Sequence, residues 1–228
     1  MTVWVHGAHV RLEKNQNYWG RDRIRLNVID MPYFTTDATS ALNLFKDGKV
    51  AVVDYLGAEQ LDEVLQQRWQ LQRFGDGSVW FLAFNFAPDR VTANLHLRKA
   101  LQLVTDPGEL VNRIIKLPGN LPGESLFPVW LQGVDTFFRQ EHPVQQITLD
   151  ADAAREHLRI AMEELGIESP PSISLLVDDT PGAAKQAEYF QNLYRTELGI
   201  DIRIDRQIFK QRLAKMQSQD FDLAVYGW

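Results

Sequence analysis

The chain has 228 residues, 45% apolar and 24% charged, with a formal net charge of −6 and a sequence pI near 5.4. That length buries a proper core in one large domain or two small ones. The acidity argues against a phosphate-backbone binder, whose affinity rests on clustered Lys and Arg. The absence of cysteine excludes a disulfide framework, thiolate zinc sites and cysteine nucleophiles.

No apolar run approaches the ~20 residues that span a bilayer, and the opening MTVWVHGAHV carries no secretory signal. Val3 to Val5 and Val10 to Glu13 read as strands around HGAH, and NQNYWG as a polar turn. RIRLNVID, Arg23 to Asp30, alternates as a strand, with RDRIR its solvated face. TTDATSALNLFKDGKV reads as a helix capped by Thr35 or Thr36 and ended by Gly48. Val50 to Leu56 reads as a strand, Gly57 to Gln67 as a helix, Trp69 to Phe74 as a strand, and Ser78 to Phe86 as the most apolar strand.

Asn94 to Asp106 is a predicted helix with Leu97, Ala100, Leu101 and Val104 on one side. Asp106 caps the next, which has Pro107 in its first turn and runs to about Lys116. Leu117 to about Thr148 lacks periodicity, and a loop of that length is often functional. Asp150 to Gly166 is a helix capped by Asp150 or Asp152. Strand Ser172–Asp179, helix Pro181–Leu198, strand Ile200–Asp205, helix Gln207–Gln217 and strand Phe221–Trp228 follow. That β–α–β–α–β order predicts a mostly parallel, helix-covered sheet.

Chemical candidates are few. His6 and His9 converge only through a tight turn at Gly7, while His96, His142 and His157 lack metal-ligand spacing. No metal or other cofactor is expected. Asp178 and Asp179 end a strand, where α/β folds place ligand groups, but DDTPG is equally ordinary turn and cap chemistry. No G-x-S-x-G elbow and no phosphate-binding glycine loop is present. In VWFLAF, Trp80 and Phe84 share one face and Phe81 lies on the other. The alternation leaves open which face is core and which lines an apolar cleft.

Five collinear segments resemble the family 5 extracellular solute-binding proteins, the oligopeptide-, dipeptide- and nickel-binding components of ABC importers. LEKNQNYWG resembles that family's LERNPNYWG, and TDATSALNLFKDGKVAVVDYL its DATTALAALQNGEVDIADYL. VWFLAFNF with NLHLRKALQLVTDPGELVNRII resembles YYLAFN with DVRVRQALSYAIDREAIV. ITLDADAAREHLRIAMEELGI resembles YDPEKAKALLAEAG, and QIFKQRLAKMQSQDFDLAVYGW resembles WATYLERLRKGDFDMALYGW. The resemblance covers only the family's central part, so the chain reads as a piece truncated at both ends, with Met1 a start placed upstream of the NYWG turn.

The resemblance implies an α/β, periplasmic-binding-protein-like fold of type II: mixed sheets flanked by helices, here an incomplete two-lobed fragment. Residues 1–74 would belong to the first lobe and 75–228 to the opposing one, with lobe-crossing segments near Gly75 to Ser78. It implies a non-enzymatic protein that captures peptides or a similar small solute between its lobes. Its site would be in the periplasm or outside the cell, associated with the membrane through an ABC permease. Carried-over ligand residues are Trp228 of YGW, Asp76, Ser78, Val79 and Phe81 around VWFLAF, and Phe209 at the aromatic of W-x-x-Y-L.

The match departs from the family in places. The ammonium-binding aspartate after the tryptophan lies beyond the chain, Val225 stands where oligopeptide binders place an arginine, and Ala183 where some have a histidine. Peptides, sugars, nickel chelates and opines stay open as ligands. Competing expectations are a ligand-sensing domain of a transcriptional regulator with the same fold, and a hydrolase using Asp178 or Asp179. Unpaired sheet edges predict self-association of the fragment, and no nucleic-acid partner is expected.

Overall fold

A computed structural model describes residues 2–123 and 125–228; Met1 and Glu124 lie outside the described residues. The chain divides into two compact units, one ending at Leu56 and one beginning at Gly57.

The first unit holds an antiparallel meander of β1 (Val3–Val5), β2 (His9–Glu13) and β3 (Val28–Met31). Val5 pairs with His9 across a tight turn in which Gly7 adopts φ +69°, a conformation glycine reaches without strain. The predicted strand from Arg23 begins only at Val28. Upstream, Arg21–Arg23 form a tight helical turn, and local side chains hold the nearby backbone. Lys14 Nζ donates to the Ile24 carbonyl (3.0 Å) and Arg21 Nη1 to that of Gln16 (2.9 Å). Such bonds compete with a ladder. Helix α1 (Ala38–Lys46) is capped by Asp37, not Thr35 or Thr36: its carboxylate accepts from Ser40 N–H at 2.7 Å. A carboxylate suits both the open N–H groups and the helix dipole. Val50 to Leu56 form no strand, because an extended run needs a ladder partner and β1–β2–β3 provides none for it.

The second unit opens with α2 (Ala58–Gln66). Trp69 to Phe74 then run without ladder pairing rather than as the expected strand. A four-stranded sheet follows in the order β4–β7–β5–β6: β4 (Trp80–Phe84), β5 (Ser172–Asp178), β6 (Asp201–Gln207) and β7 (Leu223–Gly227). β7, β5 and β6 are parallel, and β4 runs antiparallel against β7. Between β4 and β5 lie α3 (Leu95–Val104), α4 (Pro107–Glu109, continued by a wider π turn over Leu110–Ile115), α5 (Phe138–Glu141) and α6 (Ala151–Leu165). α7 (Pro181–Leu198) joins β5 to β6, and α8 (Phe209–Gln217) joins β6 to β7.

Capping is local and legible. Asp106, Asp150 and Thr180 accept N–H bonds at the starts of α4, α6 and α7, and Gly166 and Gly199 end α6 and α7 with φ near +66°. One sheet face carries Ile173, Leu175, Val177, Ile202, Leu223, Leu82 and Phe84. It packs on α3, α6 and α7 through Leu97, Ala100, Leu101, Leu158, Phe190 and Tyr194. The other face carries Leu176 and Ala224, which meet Phe221 and Met216 under α8.

At the amino ends of the parallel strands, Asn85, 3% exposed, donates to the Gln219 and Phe221 carbonyls (2.9 and 2.7 Å). It accepts from Ala87 N–H (3.0 Å). Asp222 accepts from Ser174 N–H and Oγ, both at 2.8 Å. Residues 117–123 and 125–148 carry little regular structure beyond α5, yet Glu141 accepts three N–H bonds, from Val134, Asp135 and Thr136. Arg139 lies over the Phe127 and Phe138 rings. Among the described residues no helix is long and apolar enough to cross a membrane.

Candidate ligand-binding site

The carboxyl ends of β5, β6 and β7 form one edge of the second unit's sheet, and the carried-over residues gather there. Val79 and Trp228 exchange two backbone bonds, each 2.9 Å, which extend the β4–β7 ladder by one pair. The backbone thus fixes Trp228 while its side chain stays 87% exposed. On the strand face of Phe81, that ring meets Tyr226 edge to face at 5.8 Å between centroids. The opposite parity places Leu82 and Phe84 in the main core, whereas Phe81 shares the α8 face with Tyr226. Trp80, on the core parity, is exposed at the strand's start and lies over Gly227, where a Cβ would come within 2.9 Å of the indole.

Asp76 and Ser78 precede β4 in a turn that needs Gly77 at φ +83°. Asp76 Oδ1 accepts from Ser78 N–H at 2.9 Å, and that bond holds its carboxyl below the ordinary range. Phe209 opens α8 and is 67% exposed. Three residues on, the Arg212 side chain is only 7% exposed. Its guanidinium lies 5.8 Å from the Phe209 ring and 5.9 Å from that of Tyr226, and Nη1 donates to the Val225 carbonyl at 3.0 Å.

Thr180, not either aspartate, caps α7. Asp178 is therefore free to meet Arg212 Nε at 2.9 Å, and Asp179 pairs with Arg206 at 2.8 Å. Each carboxylate faces a guanidinium, not a nucleophile, base or oxyanion arrangement.

Sequence reasoning passed over Arg212, which stands where the resembled W-x-x-Y-L pattern has its tyrosine; Trp130 lies in the aromatic-rich stretch after Leu117. The Trp130 indole approaches Gly75 so closely that an added Cβ would touch it at 3.4 Å, which brings the long loop beside Asp76 to Ser78. The aromatic-rich, aperiodic stretch after Leu117 was the available signal. His96 and His157, which lack metal-ligand spacing in the sequence, meet each other across α3 and α6 with their Nδ1 atoms 2.8 Å apart. Burial and His96 lower the pKa of His157. His9 Nε2 contacts Asp30 Oδ1 at 2.7 Å. Among the described residues no group of three or more His, Cys, Asp or Glu side chains could hold a metal. A depression of about 500 Å³ lined by Phe84, Asn85, Phe86, Met216 and Phe221 lies at the opposite end of the strands and holds none of the carried-over residues.

This sheet order, with its exposed carboxyl edge, is that of an open α/β fold. The chain belongs to the bacterial extracellular solute-binding proteins, family 5 (middle region), which it matches over residues 1–228. It is similar to the oligopeptide-binding protein OppA of Bacillus subtilis, 26% identical across 100% of this chain and 42% of that protein. It is also similar to the dipeptide-binding protein DppE of the same organism, at 24% across 90% and 37%. Among solved structures, the substrate-binding domain of an oligopeptide ABC transporter from Bacillus anthracis superposes with a TM-score of 0.85 at 27% identity, covering 100% of this chain and 44% of that one. OppA of Listeria monocytogenes bound to peptide shares the fold, with a TM-score of 0.77 at 24% identity over 96% and 43%. The chain thus spans about two fifths of the length of the relatives it matches.

Proposed function

We propose that this chain is part of the substrate-binding component of an ABC importer, capturing peptides or a similar small solute for delivery to a membrane permease, without catalysis. Residues 1–74 contribute to one lobe of the full-length protein and residues 75–228 to the other. It works in the periplasm or outside the cell, held at the membrane through the transporter. Trp228, Phe81, Val79, Ser78, Asp76 and Phe209 contact the ligand. One observation carries the reading: a backbone-fixed but exposed indole at Trp228 stands with Phe81 on one sheet face, at the strand ends where open α/β sheets bind ligands. The names of the relatives support peptides as the ligand class.

The test is titration calorimetry of the full-length protein with tripeptides, beside Trp228→Ala. Binding that weakens about tenfold or more in the variant, with an unchanged melting temperature, supports the reading. Equal affinities would remove Trp228 from the site, and no heat with any peptide would sink the ligand class. We further propose that the 228-residue chain self-associates through its sheet edges, β4 and β6. A monomer in sedimentation at high concentration would refute that.

A further inference from the structure

The pairing of β5 with β7 covers only Leu175 with Leu223 and Leu176 with Ala224. Beyond it, among the described residues, Val177 and Asp178 pair only with β6, and Val225 and Tyr226 only with β4. The two strands part at their carboxyl ends. The connection leaving β5 runs over one face as α7, and the one reaching β7 runs over the other as α8, so the split lies at the sheet's switch point. Arg212, on α8, bridges the two strands there: Nη1 takes the Val225 carbonyl and Nε approaches Asp178.

Stability is a poor reason for this pair. Arg212 Nε is buried and, despite the 2.9 Å contact, lies off the line a hydrogen bond needs, so it has none. A buried ion pair with an unsatisfied nitrogen is commonly no better than apolar residues of the same volume. Exposure is lopsided, at 25% of the Asp178 side chain against 7% of Arg212. A group arriving from solvent therefore meets the carboxylate first. The neighbouring Arg206 is taken by Asp179. Tyr226 and the exposed Phe209 add ring faces, which hold alkyl stems and cations well.

We propose that Asp178, aimed by Arg212 into the split between β5 and β7, determines specificity by receiving a cationic group of the ligand, an ammonium or guanidinium. This rests on the solute-capture reading above. Arg212 is a positioning residue that holds Asp178 and closes the freed Val225 carbonyl.

The experiment measures full-length protein against tripeptide pairs in which lysine and norleucine exchange at each of the three positions. These side chains differ chiefly by the charge. The readout is the ratio of the two affinities. The wild type is expected to prefer lysine at one position by about tenfold or more, the worth of a charge-assisted bond. Asp178→Asn should bring that ratio near one. The double variant Asp178→Asn with Arg212→Met, which keeps the packing volume, should do the same and guards against misfolding of the single variant. If the wild type binds both members of every pair equally, or if both variants keep the preference, the inference falls while solute capture stands. If no tripeptide binds, the peptide reading fails and takes this inference with it.

Discussion

Asn85 ties the end of β4 to the turn between α8 and β7, and replacing it tests how the sheet is closed. Asn85→Ala removes two donated bonds, to Gln219 and Phe221, and one accepted from Ala87. The bond to the Phe221 carbonyl is fully buried, so water does not replace it; the other two are partly buried. At ~0.5–1.5 kcal/mol net for each bond, and more for a buried carbonyl left unpaired, the loss is about 2–4 kcal/mol. Asn85→Asp should cost more than alanine, since it turns a carboxylate toward two carbonyl oxygens. Urea denaturation followed by tryptophan fluorescence and circular dichroism gives both values. Ligand affinity is expected to hold in the alanine variant under conditions where it is folded, because Asn85 lies at the far end of the strands. A loss below ~1 kcal/mol for alanine, or an aspartate variant more stable than the alanine one, would refute the argument.

His157 has its pKa lowered by burial and by His96, so its neutral form is favoured in the folded chain. Its contribution is complete above the unfolded value near 6.5 and is lost as pH falls toward the folded value. Because the pair is only partly buried, the slope should lie below the one-proton ceiling of ~1.4 kcal/mol per pH unit. Urea midpoints at pH 7.5 and 5.5 should drop further for the wild type than for His157→Gln, and equal drops would refute the coupling. Thr180→Ala removes the cap on Ala183 N–H at 3.2 Å and should cost ~1 kcal/mol by the same denaturation. Glu141→Gln should speed protease cleavage within residues 125–148. Its carboxyl is held below the ordinary value of 4.5 by the N–H groups of Thr136, Val134 and Asp135, so wild-type protection should persist at pH 5 and fade in stronger acid. Identical cleavage of the two proteins would show that those N–H bonds do not order the loop.

Where a helix or strand carried its own signals, the sequence was enough to read it. The apolar side of α3, the αL glycines after α6 and α7, and the caps Asp106 and Asp150 all stand where periodicity and end chemistry put them. Val50 to Leu56 and Trp69 to Phe74 misled because apolar composition reports burial, while a strand also requires a neighbour that no local signal names. The site divides the same way. Trp228 and Phe81 came from motif position, but the face they share needed the β4–β7 register. Arg212 was illegible, since an arginine in a polar amphipathic helix reads as solvated until Asp178 and the Val225 carbonyl are set beside it by strands from elsewhere in the chain.

The sheet order also governs how the unit is made. β4 leaves the ribosome early, yet within the sheet its only ladder partner is β7, and the Asn85–Phe221 bond that closes the pair joins residues 136 positions apart. At synthesis rates of ~5–20 residues per second the wait is on the order of ten to thirty seconds. Throughout it, the segment WFLAF offers an uncharged, β-prone edge without its native cover. β5 and β6, joined only by α7, can pair well before then, so the native sheet grows from its parallel half and accepts β4 last. The first edge strand made is the last one protected, and factors that shield nascent chains would act chiefly on this stretch.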